Sequence, residues 1–414
     1  MLKRIKVQQL TLGMYISGFF GTWMEHPFLR NHFALTDPLD LNRIRASTVQ
    51  EVWIDTSKGL DIAPGNNTPL QTETIQAVAQ EILQANVNVP ARNTTPTSAA
   101  AEYARAAQIC TTSKQAVMAM FQEARMGKAI NTELAHHVVR EISDSVVRNP
   151  QAMISLARLK NADDYTYMHS VAVCALMVAL SRQLKLDEEQ TRSMGLAGLL
   201  HDLGKVMVPG KLLNKPGRLT DAEFHIIKSH PVQGHRMLAD SQVVNDMVLD
   251  VVLHHHEKTD GSGYPDRLKG DAISLHAKMG AICDVYDAIT SNRSYKKGWD
   301  PAESLKKMAE WTHGHLDPLV FQAFVKSLGI YPVGSLVRLS SGRLGVVVEQ
   351  SPHSLLKPIV KVFFSTKSDT RLLPEVLDLS EPGCKERITD RENPDSWPFK
   401  DLDALWSGMA QMPW

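Results

Sequence analysis

The sequence predicts a multidomain, mainly α-helical protein with a small α+β domain at its N-terminus and a small β-rich extension at its C-terminus. Its 414 residues correspond to two or three domains of roughly 150 residues each. Apolar residues in the middle of the chain recur with the helical period, whereas short runs between turn residues occur at both ends. We therefore expect a regulatory or input domain and linker at 1–97, a helical domain at 98–330 and a β-rich extension at 331–414.

The N-terminal segment has the composition of short strands. Runs at residues 5–7, 14–20 and 51–54 predict strands, and a helix is expected at 38–46 with Asp37 or Asp40 as its cap. Residues 88–97 contain two prolines, two asparagines and three threonines, which is typical of a linker.

The central region has the apolar periodicity and the capping residues of a helical domain. Thr220 with Glu223 predicts a capping box, and Asp187 with Gln190 a looser version of it. The predicted helices lie at residues 100–127, 132–148, 150–159, 165–184, 187–203, 221–238, 243–256, 275–291 and 301–314.

The C-terminal extension begins near residue 331. Residues 334–339, 341–342, 344–349 and 359–364 predict a hairpin and a third strand. Trp397, Trp406 and Trp414 follow, and we expect them to anchor this tail against the chain's own domain.

Composition excludes several classes of partner. With 45 basic and 45 acidic residues, the chain has no global field that would favour a nucleic-acid polymer or an anionic membrane. The longest apolar run, residues 171–180, is too short to span a bilayer, so no membrane insertion is expected.

The cysteines favour a reducing cytoplasm, because none forms a C-x-x-C pair. They are Cys110, Cys174, Cys283 and Cys384.

One cluster of imidazoles and carboxylates decides most of what the sequence says about function. A His-Asp dipeptide also occurs by chance, and a buried histidine bonded to a neighbour is its ordinary alternative explanation. A buried aspartate, however, is rare unless it is paired or binds a metal. Several metal-competent side chains aimed at one bundle interior can form a metal site. Those within or at the ends of apolar helices are His169, His201, Asp202, His230, His255, His256 and Asp284.

Six separated motifs follow one another in this region. They are His169-Ser170, His201-Asp202-x-Gly204-Lys205, His230-Pro231, His255-His256-Glu257-x-x-Asp260-Gly261-x-Gly263-Tyr264-Pro265, Asp284-x-x-Asp287-Ala288 and Arg293-x-Tyr295-Lys296. In their order and spacing they resemble the HD-GYP family of bacterial cyclic-dinucleotide phosphodiesterases. The resemblance covers roughly residues 130–330, and the segment before it resembles an uncharacterised domain that precedes HD-GYP modules in many bacterial proteins.

The resemblance implies an HD-type helical bundle that holds two divalent or trivalent metal ions. His169, His201, Asp202 and Asp284 would hold one ion. The second would be held by His230, His255 and His256, with Asp202 bridging the pair. The ions would bridge the hydroxide that attacks phosphorus. Iron is the family's common metal, and manganese and nickel are alternatives.

The resemblance also implies residues that contact the substrate. Asp202 and Lys205 would be catalytic, and Lys205 would steady a phosphate oxygen as charge redistributes. Arg293 and Lys296 match positions that bind the phosphates. Some family members carry a glutamate four residues before the first histidine as a ligand to a third metal. Tyr165 stands there in this chain, so we predict two metals.

The remaining residues of the motifs are compatible with more than one role. The Gly-Tyr-Pro segment either shapes the mouth of the site or brings Tyr264 onto a guanine base. Glu257, Asp260 and Asp287 are expected to accept hydrogen bonds from the ligand histidines, with pairing to Lys205 or Arg293 as the alternative for Asp287. Neighbouring helical residues point about 100° apart, so three successive histidines cannot all face one metal pair. The resemblance assigns His255 and His256 to the metals and implies that His254 is a bystander.

The predicted function is hydrolysis of cyclic di-GMP to pGpG, and further to GMP if the linear product is also a substrate. Hydrolysis of 3′3′-cyclic GMP-AMP is the near alternative. A one-metal nucleotidohydrolase would leave His230, His255 and His256 unexplained. A non-catalytic module that binds the nucleotide or a partner protein is a further class. Homodimerisation and a signalling partner are both open from sequence.

Overall fold

The computed structural model describes residues 2–19, 33–45, 51–61, 95, 97–159, 165–213, 215, 217–239, 244–291, 298–351 and 354–409. They fall into two compact units, Met1–Asn88 and Val89–Trp414. The predicted fold class is confirmed: the protein is mainly helical, with an N-terminal sheet and helix and a C-terminal sheet. The domain bounds placed from sequence stay a prediction.

The first unit contains a four-stranded antiparallel sheet and one helix in its described part. Its strands are β1 (Leu2–Lys6), β2 (Tyr15–Phe19), β3 (Phe33–Ala34) and β4 (Glu51–Asp55), in the order β1-β4-β2-β3. The helix is α1 (Pro38–Arg45). Alternate residues of the strands enter one core, including Ile5, Ile16, Val52 and Ile54.

The second unit begins with helices whose start positions follow their caps. Ser98, Asn131 and Asn149 each accept a backbone N–H of the first turn that follows. Both predicted capping boxes are confirmed, Thr220 with Glu223 and Asp187 with Gln190. The helices are α2 (Ala99–Arg125), α3 (Thr132–Arg148), α4 (Pro150–Arg158), α5 (Tyr165–Gln183), α6 (Glu188–Leu200), α7 (Gly210–Leu213), α8 (Asp221–Ile227), α9 (His230–Ala239), α10 (Asp246–His254), α11 (Leu275–Thr290), α12 (Pro301–Trp311) and α13 (Pro318–Leu328).

Helix α5 lies at the centre of this bundle. Its residues from Met168 to Leu180 are buried on every side, and it packs against α2, α4, α6 and α11. A helix that is apolar all round must be enclosed by others. This burial places His169, one turn from the start of α5, inside the bundle.

A buried ion pair joins the first two helices of the bundle. The guanidinium of Arg148 at the end of α3 donates to Glu102 of α2 at 2.8 and 2.9 Å, and the Ser145 hydroxyl donates to the same carboxylate at 3.0 Å. The Glu102 side chain is fully buried and that of Arg148 nearly so. The pair therefore fixes the register of α2 against α3.

The C-terminal sheet is antiparallel and belongs to the same compact unit as the helices. Glu349 accepts from the backbone of Ala99 and from the Asn149 side chain, which ties the sheet to the starts of α2 and α4. Its strands, in the order β8-β7-β6-β5-β9, are β5 (Leu336–Leu339), β6 (Arg343–Ser351), β7 (Ser354–Ser365), β8 (Thr370–Asp378) and β9 (Ile388–Arg391).

Two of the three tail tryptophans pack against the protein itself, as expected. Trp406, in helix α14 (Leu402–Ser407), packs edge-on against Tyr103 of α2 at 5.5 Å between ring centroids. Trp397 stacks on Phe399 and contacts Phe364 of β7. Trp414 lies outside the described residues.

The structure corrects two predicted helices and adds elements that were not predicted. The helix predicted at 221–238 is two helices, α8 and α9, because Pro231 lacks the N–H that would continue the first helix and fits only in the first turn of a second one. The helix predicted at 187–203 ends at Leu200, and a 3₁₀ helix (Leu203–Met207) follows. Helix α13 and strands β8 and β9 were not assigned from sequence.

Within the described residues, no helix combines the length and the apolar character needed to cross a membrane.

Candidate metal centre

Five separate segments of the second unit bring the predicted metal ligands together. Each segment is fixed by helix packing, so the side chains project from rigid elements rather than from loops. The ligands come from the first turns of α5 (His169), the C-terminal end of α6 (His201 and Asp202), the first residue of α9 (His230), the C-terminal end of α10 (His255 and His256) and the middle of α11 (Asp284).

Gly204 allows the 3₁₀ helix after Asp202 to lie directly against the start of α9. A Cβ on Gly204 would lie 1.9 Å from the backbone oxygen of His230 and 2.5 Å from the backbone nitrogen of Gly234. Real Cβ atoms do not approach backbone so closely, and only glycine fits. This contact brings Asp202 and His230 to the same point.

Asp202 lies between two groups of histidines and is shared by both. Its Oδ1 is 3.2 Å from Nε2 of His230 and 4.0 Å from Nε2 of His255. Its Oδ2 is 3.5 Å from Nε2 of His169 and 3.5 Å from Nε2 of His201. The two oxygens of one carboxylate therefore face different ligand sets.

Asp284 spans the same two groups from the opposite side. Its Oδ1 is 3.0 Å from Nε2 of His169 and 3.9 Å from that of His201. Its Oδ2 is 3.7 Å from Nδ1 of His256. The predicted assignment of Asp284 to the His169 group agrees with the shorter distance.

Four of the histidines direct Nδ1 away from the cluster, toward an acceptor. His201 bonds to the Gly198 carbonyl and His230 to the Ile227 carbonyl, both at 2.8 Å. His255 bonds to the Val251 and Val252 carbonyls at 3.1 and 3.0 Å. A carbonyl can only accept, so each of these rings carries its proton on Nδ1 when neutral. His169 Nδ1 is 2.6 Å from Asp287 Oδ2.

These bonds leave Nε2 lone pairs facing one another across the cluster. Nε2 of His201 is 3.2 Å from that of His169, and Nε2 of His230 is 3.4 Å from that of His255. Two lone pairs repel at such distances unless a proton or a cation lies between them. Asp202 Oδ1 is also buried without a hydrogen bond. The donor set fits metal ions held by imidazole and carboxylate.

The electrostatics of the cluster agree with neutral imidazoles and ionised carboxylates. Burial lowers the pKa of His201, lowers that of His255 well below its usual value and lowers that of His256 to about 3. Burial raises the pKa of Asp202, but the nearby ammonium of Lys205 lowers it, and the pKa lies well below its usual value. His169 differs, because its bonds to Asp284 and Asp287 outweigh burial and raise its pKa.

The three predicted acceptors behind the ligands have different positions. Asp287 contacts His169 as expected. Glu257 is buried and accepts from the Asp266 backbone at 2.7 Å, within the Gly-Tyr-Pro loop. For Asp260 the structure corrects the expectation. Among the described residues its carboxylate contacts Ser262 and His315 rather than a histidine of the cluster, because the turn at Gly261 carries it to the surface.

His254 is directed away from the cluster, in agreement with the bystander role that the family resemblance implies. Its Nδ1 is 2.7 Å from Asp250 Oδ1, one turn earlier in α10, and its Nε2 is 3.0 Å from Asp266 Oδ2. This histidine therefore connects the helix that carries His255 to the Gly-Tyr-Pro loop.

The predicted substrate residues are only partly described. The Lys205 ammonium lies 2.5 Å from Asp202 Oδ2 and is about a quarter exposed. The Tyr264 ring stacks on His256 at 4.7 Å between centroids, so one of its faces is occupied by a histidine of the cluster. Arg293 and Lys296 lie outside the described residues, as does the side chain of Tyr165.

Sequence reasoning missed the backbone carbonyls that orient the histidines. They come three or four residues before the histidine, from the last turn of the preceding helix, where carbonyl oxygens can accept a side-chain hydrogen bond. A histidine at the end of an apolar helix is the signal that could have revealed them. At His230 the signal is Pro231, whose missing N–H leaves the Ile227 carbonyl free.

Comparison with known proteins agrees with this geometry. Residues 141–320 match the model of the HD domain, and residues 2–135 match a domain of unknown function, DUF3391. The chain is 53% identical over 412 residues to a protein of Pseudomonas aeruginosa named cyclic di-GMP phosphodiesterase. The aligned region covers 99% of this chain and 97% of that protein. The chain belongs to the HD-GYP family.

Other relatives of this HD-GYP protein match over less than half of the chain. A cyclic di-GMP phosphodiesterase response regulator of Xanthomonas campestris is 37% identical over 179 residues, covering 42% of this chain and 47% of that one. A 3′3′-cGAMP-specific phosphodiesterase of Vibrio cholerae is 35% identical over 179 residues, and the aligned region covers 42% of this chain and 41% of that protein. The predicted family and the predicted N-terminal domain are confirmed.

Proposed function

We propose that this protein is a metal-dependent phosphodiesterase that hydrolyses cyclic di-GMP to linear pGpG. The observation that carries the proposal is the position of Asp202, whose two oxygens face two separate histidine groups. The near full-length similarity to a cyclic di-GMP phosphodiesterase supports the choice of substrate.

We assign two metal positions to the cluster. His169, His201, Asp202 and Asp284 would hold one ion. His230, His255 and His256 would hold the other, with Asp202 shared. The buried carboxylates of Asp202, Asp284 and Asp287 outnumber the one ammonium that contacts them, that of Lys205, so cations would balance charge that is otherwise costly to bury.

Iron is the metal that we propose first, with manganese and nickel as alternatives. The set mixes imidazole and carboxylate donors, and no thiolate of a described cysteine is among them. Structural zinc sites are usually tetrahedral and often contain cysteine, which makes zinc a poorer fit. Metal analysis of protein purified without added metal decides among these ions.

Bound metal ions would supply Lewis acidity toward the phosphate and make water acidic enough to react near neutral pH. In the overall hydrolysis an oxygen of water bonds to phosphorus, the bond from phosphorus to the 3′-oxygen breaks and that oxygen takes up a proton. Asp202 would bind both metal ions and so fix their spacing. Lys205 would donate a hydrogen bond to a non-bridging phosphate oxygen as the negative charge on that oxygen grows. The backbone-bonded histidines cannot rotate, which keeps the donor atoms fixed.

Metal-loaded protein incubated separately with cyclic di-GMP and with 3′3′-cyclic GMP-AMP tests the proposal. We expect conversion of cyclic di-GMP to pGpG, resolved from GMP by chromatography. Preference for cyclic GMP-AMP would replace the proposed substrate, and failure with both in metal-containing protein would point to a binding module.

Asp202→Ala is the variant that tests the assignment of the bridge. It should lose metal and activity together, because the carboxylate belongs to both positions. His313→Ala removes an exposed imidazole elsewhere in the same unit and should change neither.

Three finer predictions accompany the proposed function. The Met1–Asn88 unit is proposed as an input domain for a ligand or a signalling partner. A homodimer is proposed through the helices that follow this unit. The cysteines form no disulfide among the described residues, and we propose a cytoplasmic location. Light scattering coupled to size-exclusion chromatography tests the dimer, and a strict monomer at micromolar concentration rejects it.

A further inference from the structure

Lys228 is a cation at the edge of the metal cluster for which sequence reasoning had no role. It caps α8 at the break before α9, two residues ahead of His230. Its backbone N–H bonds to Phe224, and the Ile227 carbonyl beside it accepts from His230. The turn that orients a metal-ligand candidate therefore also fixes the start of the Lys228 side chain.

The ammonium of Lys228 lies between two aromatic rings. It is 4.4 Å from the centroid of Phe224 and 5.4 Å from the centroid of Tyr264. The first contact follows from helical spacing and is ordinary on a helix surface. The second joins residues 36 positions apart, and the Tyr264 ring in turn stacks on His256. Folding thus brings this ammonium to the mouth of the cluster.

Lys228 has no carboxylate partner among the described residues. Nearby lysines differ, since Lys205 pairs with Asp202 and Lys215 pairs with Glu223. Aromatic faces attract a cation but do not neutralise its charge. The ammonium of Lys228 is partly buried and lies beside a candidate phosphate site. Because no counter-charge neutralises it among the described residues, it can bind an anion there.

We propose that Lys228 binds the second phosphate of the substrate, the one that is not being cleaved. This inference rests on the proposed function, because a cyclic dinucleotide carries two phosphodiesters and the metal cluster would hold one. The other retains a full negative charge that a site must balance. Lys228 supplies the positive charge, and Phe224 and Tyr264 hold its stem in place.

The test compares a substrate with two phosphodiesters and a substrate with one. Lys228→Met removes the charge and keeps the length of the stem. It should raise KM for cyclic di-GMP about tenfold or more, the effect of losing one hydrogen bond to a charged group, with little change in kcat. Hydrolysis of bis(p-nitrophenyl) phosphate, which has a single phosphodiester, should be unchanged.

Binding and metal content separate this role from a structural one. Equilibrium dialysis with a phosphorothioate analogue of cyclic di-GMP should show the same loss of affinity in Lys228→Met, and metal content per chain should equal that of the wild type. Lys228→Arg should recover most of the affinity, since it keeps the charge. Lys215→Met removes a lysine that is already paired with Glu223 and should leave KM unchanged.

The outcomes that overturn the inference are distinct from those that overturn the function. An active wild type whose KM and analogue affinity are unchanged in Lys228→Met rejects the role of Lys228 alone. Loss of metal, or an equal loss of activity on both substrates, shows that Lys228 acts through His230 and also rejects it. A wild type that cleaves bis(p-nitrophenyl) phosphate but no cyclic dinucleotide rejects the proposed function itself.

Discussion

Nδ1 of His169 lies 2.6 Å from Oδ2 of Asp287, so a buried carboxylate of α11 holds the imidazole of α5 with its Nε2 toward the cluster. Asp287 is one helical turn beyond Asp284, which lies 3.0 Å from that Nε2. One turn of α11 thus contacts both nitrogens of the same ring. The arrangement matches the carboxylate–histidine–metal relay in which the outer carboxylate sets the tautomer.

Asp287→Asn should lower metal affinity or turnover by about 10–100-fold, because the amide lacks the charge that orients the ring and increases its basicity. Metal titration of the apo protein and steady-state kinetics measure the two effects. Ser291→Ala is the matched control: its hydroxyl lies 3.3 Å from the other oxygen of Asp287, and its loss leaves the bond to His169 intact. An Asp287→Asn enzyme equal to the wild type in both properties would contradict the orienting role.

Lys205→Met should keep its metals and slow turnover by about 10²–10³-fold, the cost of removing one donor to the charge that develops in a transition state. The ammonium contacts Asp202 in the structure, so metal content must be measured beside kcat. Lys211→Met, on the exposed surface of α7, should leave both values unchanged. A Lys205→Met protein that has lost its metal ions would show that this lysine supports metal binding rather than catalysis.

Gly204→Ala should either unfold the second unit locally or abolish metal binding, because the added methyl group would lie 1.9 Å from the backbone oxygen of His230. Gly210→Ala, six residues later, is a control with no atom within 4 Å of the added carbon. We expect the control to be neutral or stabilising by up to about 1 kcal/mol. Thermal melting and metal content check the pair, and equal behaviour of the two variants would refute the close approach.

Arg148→Met should destabilise the second unit by about 3–5 kcal/mol, because the fully buried carboxylate of Glu102 would lose its buried ion-pair partner. Arg105 pairs with the same glutamate at 3.2 Å, but its side chain is half exposed. Arg105→Met should therefore cost under about 1 kcal/mol. Urea denaturation measures both, and similar losses in the two variants would mean that burial does not decide the strength of this pair.

The sequence identified much of the candidate site because its chemistry is local. His201 and Asp202 are adjacent, His255 and His256 are adjacent, and the apolar helices around them have clear periods. The structure brings these residues together with His169, His230 and Asp284, although their role as metal ligands stays a proposal. His254 was separated from its neighbours by the motif register of the family, since helical geometry shows only that the three histidines cannot all face one site. Its contacts with Asp250 and Asp266 are consistent with that assignment.

What the sequence could not provide depends on contacts between distant segments. The position of Lys228 beside Tyr264 needs the fold of the Gly-Tyr-Pro loop, and the surface position of Asp260 needs the turn at Gly261. Helix α13 was missed although Asp317 and Pro318 form a normal start, because the apolar residues after them lie next to the expected β region. The break between α8 and α9 was missed because the apolar period continues across Pro231.

The most direct test is the number of metal ions per chain, counted by elemental analysis on protein whose concentration is fixed by amino-acid analysis. The shared position of Asp202 between the two histidine groups predicts two ions per chain in active protein. A fully active protein that contains one ion or none would contradict the two-metal site.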